Sequence, residues 1–275
     1  MNFQKPKVKA PSYELIHKTK NIIDKYSVNT ICIESACPNI SECFSRNSAT
    51  FLILGDICTR KCKFCNVKHG KPNIVDSSEP KRVANAINEL GLKYVVITSV
   101  DRDDLSDYGV SQYVKVTKEI KKINKNIKIE LLTPDFHAKK ELMDKIINSN
   151  PYKLSHNIET VESLYKNIMP GCSYKRSLKV LEYYAKTGIL TKSSIMVGLG
   201  EKKEELIKTF YDLFNCGVKQ ISIGQYLSPS FKHHLVIKYY NKKEFDELKE
   251  IALDIGFDSV QSGILVRSSY YADKM

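Results

Sequence analysis

ATFLILGDICTRKCKFC, residues 49–65, is the stretch on which the fold turns. Its first seven residues form an apolar run ending on glycine, which reads as a strand buried on both faces. Three cysteines follow at once, Cys58, Cys62 and Cys65, in C-x3-C-x2-C spacing. The chain thus passes from the carboxyl end of a buried strand into a thiol-dense loop. In parallel α/β folds that end is where chemistry gathers.

Downstream the pattern repeats. EPKRVANAINELG (79–91) reads as a helix closing on Gly91, and KYVVITSV (93–100) as a β-branched strand. SQYVKVTKEIKKI (111–123) reads as a helix with Ser111 as its N-cap. KIELLTP (128–134) is a strand, KKELMDKIINSN (139–150) a helix and YKLSHNIE (152–159) a strand. SYKRSLKVLEYYAKTG (173–188) is a helix, LTKSSIMVGLG (190–200) a strand and EKKEELIKTFYDLFNCG (201–217) a helix. QISIGQYLSP (220–229) is a sixth strand, and NKKEFDELKEIALDIG (241–256) a last helix before SVQSGILV (259–266). Strands alternating with helices of this length imply βαβ units around a parallel sheet. Six units fall short of the eight of a closed barrel. The expected class is α/β, a partial (β/α)6 TIM-like barrel over about 49–256. Its strand ends lie near Gly55, Val100, Pro134, Glu159, Gly198 and Pro229.

Composition narrows the class. The chain has 275 residues, 42% hydrophobic, with 12 Gly and 9 Pro. That Gly and Pro content is far below the ~25–30% of low-complexity chains. Eight cysteines in this length fall short of the ~8–10% of a disulfide scaffold. The basic start, MNFQKPKVKAPSYELIHKTK, has no apolar core of a secretory signal, and no run reaches the ~18 apolar residues of a membrane span. The expected compartment is the cytoplasm, where clustered cysteines bind metal or react more often than they form disulfides. Net charge is +12, from 43 Lys and Arg against 31 Asp and Glu. Lys-rich faces such as KEIKKINKNIK (118–128) account for it as solubility, with an acidic protein partner or nucleic acid as alternatives.

Six of the eight cysteines lie between 32 and 65, in two triplets. Cys32, Cys37 and Cys43 form C-x4-C-x5-C ahead of the second triplet. Structural zinc is closed by four tetrahedral ligands, whereas each triplet offers three. A four-iron cluster held by three thiolates keeps one iron open for another ligand. Two clusters are one reading of the spacing; a zinc site with scattered buried thiols is the other. Cys172 and Cys216 read as small core residues.

C-x3-C-x2-C after the first strand of a partial barrel, with Phe64 before the last cysteine, resembles the radical S-adenosylmethionine (SAM) superfamily. CIESACPNISECF (32–44), GDICTRKCKFC (55–65), ITSVDRDD (97–104), HNIET (156–160), TKSSIMVGLGE (191–201), GQYLSP (224–229) and VRSSY (266–270) are together similar to the lipoyl synthase family. The resemblance runs from about Thr30 to Tyr270. It implies a sulfurtransferase that inserts two sulfur atoms at C6 and C8 of an octanoyl group on a lysine of a carrier protein.

The resemblance also implies ligands. Cys58, Cys62 and Cys65 would hold the [4Fe–4S] cluster whose open iron binds SAM, and whose electron cleaves SAM to a 5′-deoxyadenosyl radical. Cys32, Cys37, Cys43 and Ser269, favoured over Ser268, would hold an auxiliary [4Fe–4S] cluster that supplies the sulfur. Serine oxygen is a harder donor than thiolate, so it detaches from iron more readily. Arg267 would position that serine. Thr98, Ser99, Asn157 and Glu159 would contact SAM, while Gly198 and Gly200 would permit close backbone approach and His156 stays a buried histidine. The implied partners are an octanoylated carrier (a glycine cleavage H protein or the E2 component of a 2-oxoacid dehydrogenase) and an electron donor such as ferredoxin or flavodoxin. No nucleic acid or membrane partner is expected.

Three functional parts follow: 1–48 with the auxiliary cysteines, 49–256 as the barrel, and 257–275 with RSSY. The chain departs from the family in having no Trp, in reading KPKVKA at 5–10, in Phe44 and in Asn66 after Cys65. The rival readings are a radical SAM sulfur-inserting enzyme acting on tRNA and a zinc or iron–sulfur nucleic-acid module. Against them stand the lack of a separate RNA-binding module and of a concentrated Lys/Arg/aromatic stripe.

Overall fold

The computed structural model describes residues 13–275; KPKVKA at 5–10 lies outside the described residues. The chain divides into two compact units, one of residues 13–60 and 66–153, the other of 61–65 and 154–275.

The first unit opens with α1 (Tyr13–Lys25), β1 (Asn29–Thr30), α2 (Ile31–Glu34) and α3 (Ile40–Ser45). It continues through β2 (Thr50–Ile53), β3 (Ile57–Cys58), β4 (Lys68–His69) and α4 (Glu79–Glu89). β5 (Tyr94–Ser99), α5 (Val110–Ile123), β6 (Lys128–Leu132) and α6 (Lys140–Asn148) complete it. The strand order is β1-β2-β5-β6. β1 runs antiparallel on the edge, while β2, β5 and β6 are parallel, with Thr50 opposite Val96 and Thr98 opposite Leu132. Phe51, Leu52 and Ile53 are all buried, as an uninterrupted apolar strand requires when both faces are covered.

β7 (Lys153–Ser155) starts on the last residue of the first unit. The second unit then holds α7 (Tyr165–Ile168), α8 (Tyr174–Ala185), β8 (Leu190–Val197), α9 (Lys203–Asn215), β9 (Gln220–Gln225), α10 (Lys242–Ile255) and β10 (Ser259–Gly263). β8, β9 and β10 are parallel in that order. Leu181, Ile195, Phe210, Ile221, Ile223 and Phe245 pack in one buried cluster. Each such side chain contributes about 1.5–3 kcal/mol relative to exposure.

Three expectations need correction. Ser111 lies inside α5, whose N-cap is Gly109; the Asp107 carboxylate accepts the Ser111 N–H at 2.9 Å, doing from outside the helix what a serine cap does. The strand read over 152–159 stops at Ser155, and Glu159 returns only as a single bridge to Ile195. SVQSGILV supplies a further parallel strand beyond residue 256. Among the described residues no helix is long and apolar enough to cross a membrane.

Candidate functional site

The chain leaves β2 through two left-handed residues, Leu54 at φ 72° and Gly55 at φ 88°. A leucine there is strained and must be held by its surroundings. One buried carboxylate does this: Glu79, in the first turn of α4, accepts from Leu54 N at 3.0 Å and from Gly55 N at 3.4 Å. Gln112 of α5 donates to Glu79 at 2.7 Å. Two helices thus fix the direction in which the cysteine loop begins.

Cys58 closes β3 in the first unit. Its Sγ accepts from the backbone N–H of Asp101 at 3.3 Å and of Arg60 at 3.4 Å. Sγ in turn faces Asp101 Oδ2 at 3.9 Å, and the two amides aimed at it are the surroundings that a metal-bound thiolate needs. The Cys58 and Asp101 loops are also stitched together. Thr59 donates from N and from Oγ1 to Asp101 O, both at 3.0 Å, and Asp103 N donates to Thr59 Oγ1 at 3.0 Å.

Arg60, 7% exposed, lies beneath this seam. Its Nε and Nη2 donate to Asp103 at 2.8 and 2.9 Å. Its Nη1 and Nη2 donate to Asp135 at 3.0 and 2.9 Å. Asp101 Oδ1 stands 3.3 Å from Nη1. Burial pushes the Asp101 carboxyl up to about 6, with the Arg60 guanidinium working against that rise.

Cys62 and Cys65 belong to the second unit, where Cys65 N donates to Cys62 O at 3.1 Å. Cys62 and Phe64 pack against the buried apolar cluster of that unit.

The other triplet lies wholly in the first unit. α2 carries Cys32, α3 carries Cys43, and Cys37 sits in the turn between, its N–H donating to Cys32 O at 3.0 Å. Burial pushes the Cys32 thiol up to about 11 and the Cys43 thiol up to about 12, and the neighbouring thiols add to both. Buried thiols raised as Cys32 and Cys43 are become thiolates most readily around a cation. Three cysteines brought into one short segment are a donor set that suits iron–sulfur ligation. Among the described residues, no three or more His, Cys, Asp or Glu side chains group as a site for a metal ion.

The residues expected to contact SAM fall into two sets. Thr98 and Ser99 end β5 in the first unit, and Ser99 Oγ is buried with no hydrogen-bond partner. An orphaned buried hydroxyl costs about 1–3 kcal/mol unless something bonds it, so it suits a polar ligand atom. Asn157 and Glu159 lie past β7 in the second unit. Asn157 Nδ2 donates to Glu159 Oε1 at 3.0 Å, and burial pushes the Glu159 carboxyl up to about 7. Glu159 also sits at φ 62°.

The RSSY turn joins this second set. A Cβ on Gly224 would overlap the Val266 carbonyl oxygen, so β9 needs glycine there to seat the turn. Ser268 Oγ donates to Asn157 Oδ1 at 2.9 Å, and Ser268 O accepts from the buried Lys192 at 2.7 Å. Arg267 folds back onto its own turn, its Nη1 donating to Val266 O at 2.7 Å. Gly198 is needed for packing inside the unit, since a Cβ there would overlap the Gln225 side chain and the Lys238 carbonyl. His156 is buried, with Nε2 at 2.9 Å from Ser177 Oγ.

Sequence reasoning missed Glu79, Arg60 and Lys192. The charged run DRDD just after the β5 strand was the available signal for the Arg60 network. Nothing local marks Lys192, whose partner lies 76 residues away.

The family model described as Radical SAM superfamily matches residues 52–213. The chain is 50% identical over 269 residues to the lipoyl synthase of Caldicellulosiruptor bescii, covering 97% of this chain and 92% of that protein. It is 46% identical over 272 residues to the lipoyl synthase of Vibrio atlanticus, covering 97% and 84%. Among solved structures it is similar to Streptococcus suis SuiB bound to precursor peptide SuiA, with TM-score 0.59, 14% identity and 96% of this chain covered. The chain spans 58% of the length of that SuiB chain. Methylornithine synthase (PylB) matches with TM-score 0.55 and 14% identity, covering 95% of this chain and 82% of that one. These likenesses bear out the α/β, TIM-like partial-barrel fold.

Proposed function

The chain belongs to the lipoyl synthase family of the radical SAM superfamily, and from that premise we propose which of its residues carry each part of the reaction. The protein is a sulfur-inserting enzyme acting on a protein-bound octanoyl group, with SAM and two [4Fe–4S] clusters as cofactors. The observation that carries this reading is near-full-length identity to lipoyl synthases at 50%.

Cys58, Cys62 and Cys65 hold the cluster to which SAM binds. When bound, that cluster and SAM supply the radical that removes hydrogen from an unactivated carbon. Ser99, with its orphaned hydroxyl, and Thr98 bind and orient SAM from the end of β5; Asn157 and Glu159 do so from beyond β7. Glu159, with its carboxyl near 7, is able to stand as acid or carboxylate there.

Cys32, Cys37, Cys43 and Ser269 hold the auxiliary cluster, from which the sulfur comes. Ser268 is the poorer candidate because its hydroxyl and carbonyl are committed to Asn157 and Lys192. The parts 1–48, 49–256 and 257–275 then serve as auxiliary-cluster arm, barrel and RSSY tail.

The carrier is an acidic lipoyl domain, a glycine cleavage H protein or a dehydrogenase E2, drawn by the net charge of +12. Ferredoxin or flavodoxin supplies electrons. Eight cysteines, six of them in ligand triplets, suit the reducing cytoplasm.

The deciding experiment incubates anaerobically loaded, reduced enzyme with SAM and an octanoylated carrier peptide. Mass spectrometry should find a lipoyl peptide, and metal analysis close to eight irons per chain, two four-iron clusters. Stoichiometric zinc, or recovery of unchanged peptide from iron-loaded enzyme, would end this reading.

A further inference from the structure

We infer that Arg60 is a positioning residue for the SAM-binding cluster: its guanidinium ties together the loops after β3, β5 and β6, so that two backbone N–H groups aim at Cys58 Sγ. The inference rests on the proposed function and adds a residue with no role in it so far.

The geometry is that of a clamp. The fork of Arg60 makes paired bonds to Asp103 and to Asp135 and faces Asp101, so it engages the loops that follow β5 and β6 while its own backbone belongs to the loop after β3. Without it, three carboxylates would crowd one partly buried place, with the His137 ring nitrogen 3.1 Å from Asp103. Such an arrangement repels itself unless one cation reaches all three. Lysine carries the charge but lacks the planar fork that makes paired bonds to each of two carboxylates.

What the clamp orders is the sulfur. The amides on Cys58 Sγ are those of Arg60 itself and of Asp101. Asp135 in turn caps a turn in which Phe136, His137 and Ala138 all sit at positive φ, 42°, 54° and 53°. Consecutive left-handed residues cost roughly 1–2 kcal/mol each. A strained turn anchored to a buried arginine marks a place held for function rather than for stability alone. Hydrogen bonds to cluster sulfurs set reduction potential, and such outer partners commonly tune affinity ~10–100-fold.

The test uses the full chain loaded anaerobically with iron and sulfide. Arg60→Lys and Asp103→Asn are compared with wild type by thermal melting, iron content, and EPR of the reduced clusters with and without SAM. The cluster whose spectrum responds to SAM is titrated for its midpoint potential, with the other cluster as internal reference. The expected result is a folded Arg60→Lys protein whose SAM-responsive spectrum is altered and whose potential at that cluster is lower, with the reference cluster unmoved. Should Arg60→Lys fail to fold, Asp103→Asn decides by the same readouts, because it leaves the Asp135 bonds of Arg60 in place. Folded variants with spectra and potential equal to wild type overturn the inference alone, as do variants in which both clusters change together with the melting temperature. A wild-type chain that takes up no iron overturns this inference and the proposed function alike.

Discussion

At the scale of the residue, the first serine of RSSY is set apart by what it touches. Ser268 is bonded through both its hydroxyl and its carbonyl, so Ser268→Ala should loosen the turn yet leave an auxiliary cluster. Ser269→Ala should remove an iron ligand and stop lipoyl formation while SAM cleavage continues; product analysis beside 5′-deoxyadenosine release reads the two apart. Glu159 allows a second test. Burial raises its folded value to about 7 from the ordinary 4.5, so its contribution to stability is fully present below about pH 4.5. That contribution is lost as pH rises through about 7, because the unfolded chain gives up its proton first. Glu159→Gln should therefore gain stability relative to wild type as pH rises from 4.5 to 8, measured by urea midpoints of the unloaded chain. A difference independent of pH would refute the assignment.

At the scale of the element, helices and strands were legible wherever one local pattern governed them. α10 is the clear case: Asn241 Oδ1 accepts from Glu244 N at 3.0 Å, and Glu244 Oε2 accepts from Asn241 N at 2.8 Å. Asn241→Ala should cost about 1 kcal/mol, read as a lower denaturant midpoint with unchanged slope. The start of α5 is not legible in sequence because the cap function there is divided between Gly109 and the Asp107 side chain, while Ser111, two residues on, has the composition of a cap. The strand after α6 was overextended for a similar reason. YKLSHNIE has the composition of a strand throughout, but the strand ends at Ser155 and the Ile158 N–H goes to the Ser193 hydroxyl at 3.1 Å in place of a ladder carbonyl.

At the scale of the whole molecule, buried charges show what the fold demands beyond apolar packing. Lys153 and Glu130 are both fully buried, 3.9 Å apart, and Tyr94 OH also bonds Glu130. Removing one partner strands the other in a poorly solvating interior. Lys153→Met should destabilise the protein by about 3 kcal/mol, and adding Glu130→Gln should recover much of that loss. Equilibrium unfolding of the single and double variants measures both.

The sequence by itself determined the alternation of strand and helix, the class of fold, the two cysteine triplets and the family. The first three are carried by local periodicity or by spacing along the chain, and the family by the resemblance of its motifs. Only the tertiary structure decided that two amides face Cys58 Sγ, that Arg60 spans three loops, that Ser99 keeps an unpaired hydroxyl and that Lys192 holds Ser268. Those facts depend on residues tens of positions apart meeting in a poorly hydrated interior. There the need to satisfy every charge and donor selects partners that no local pattern records.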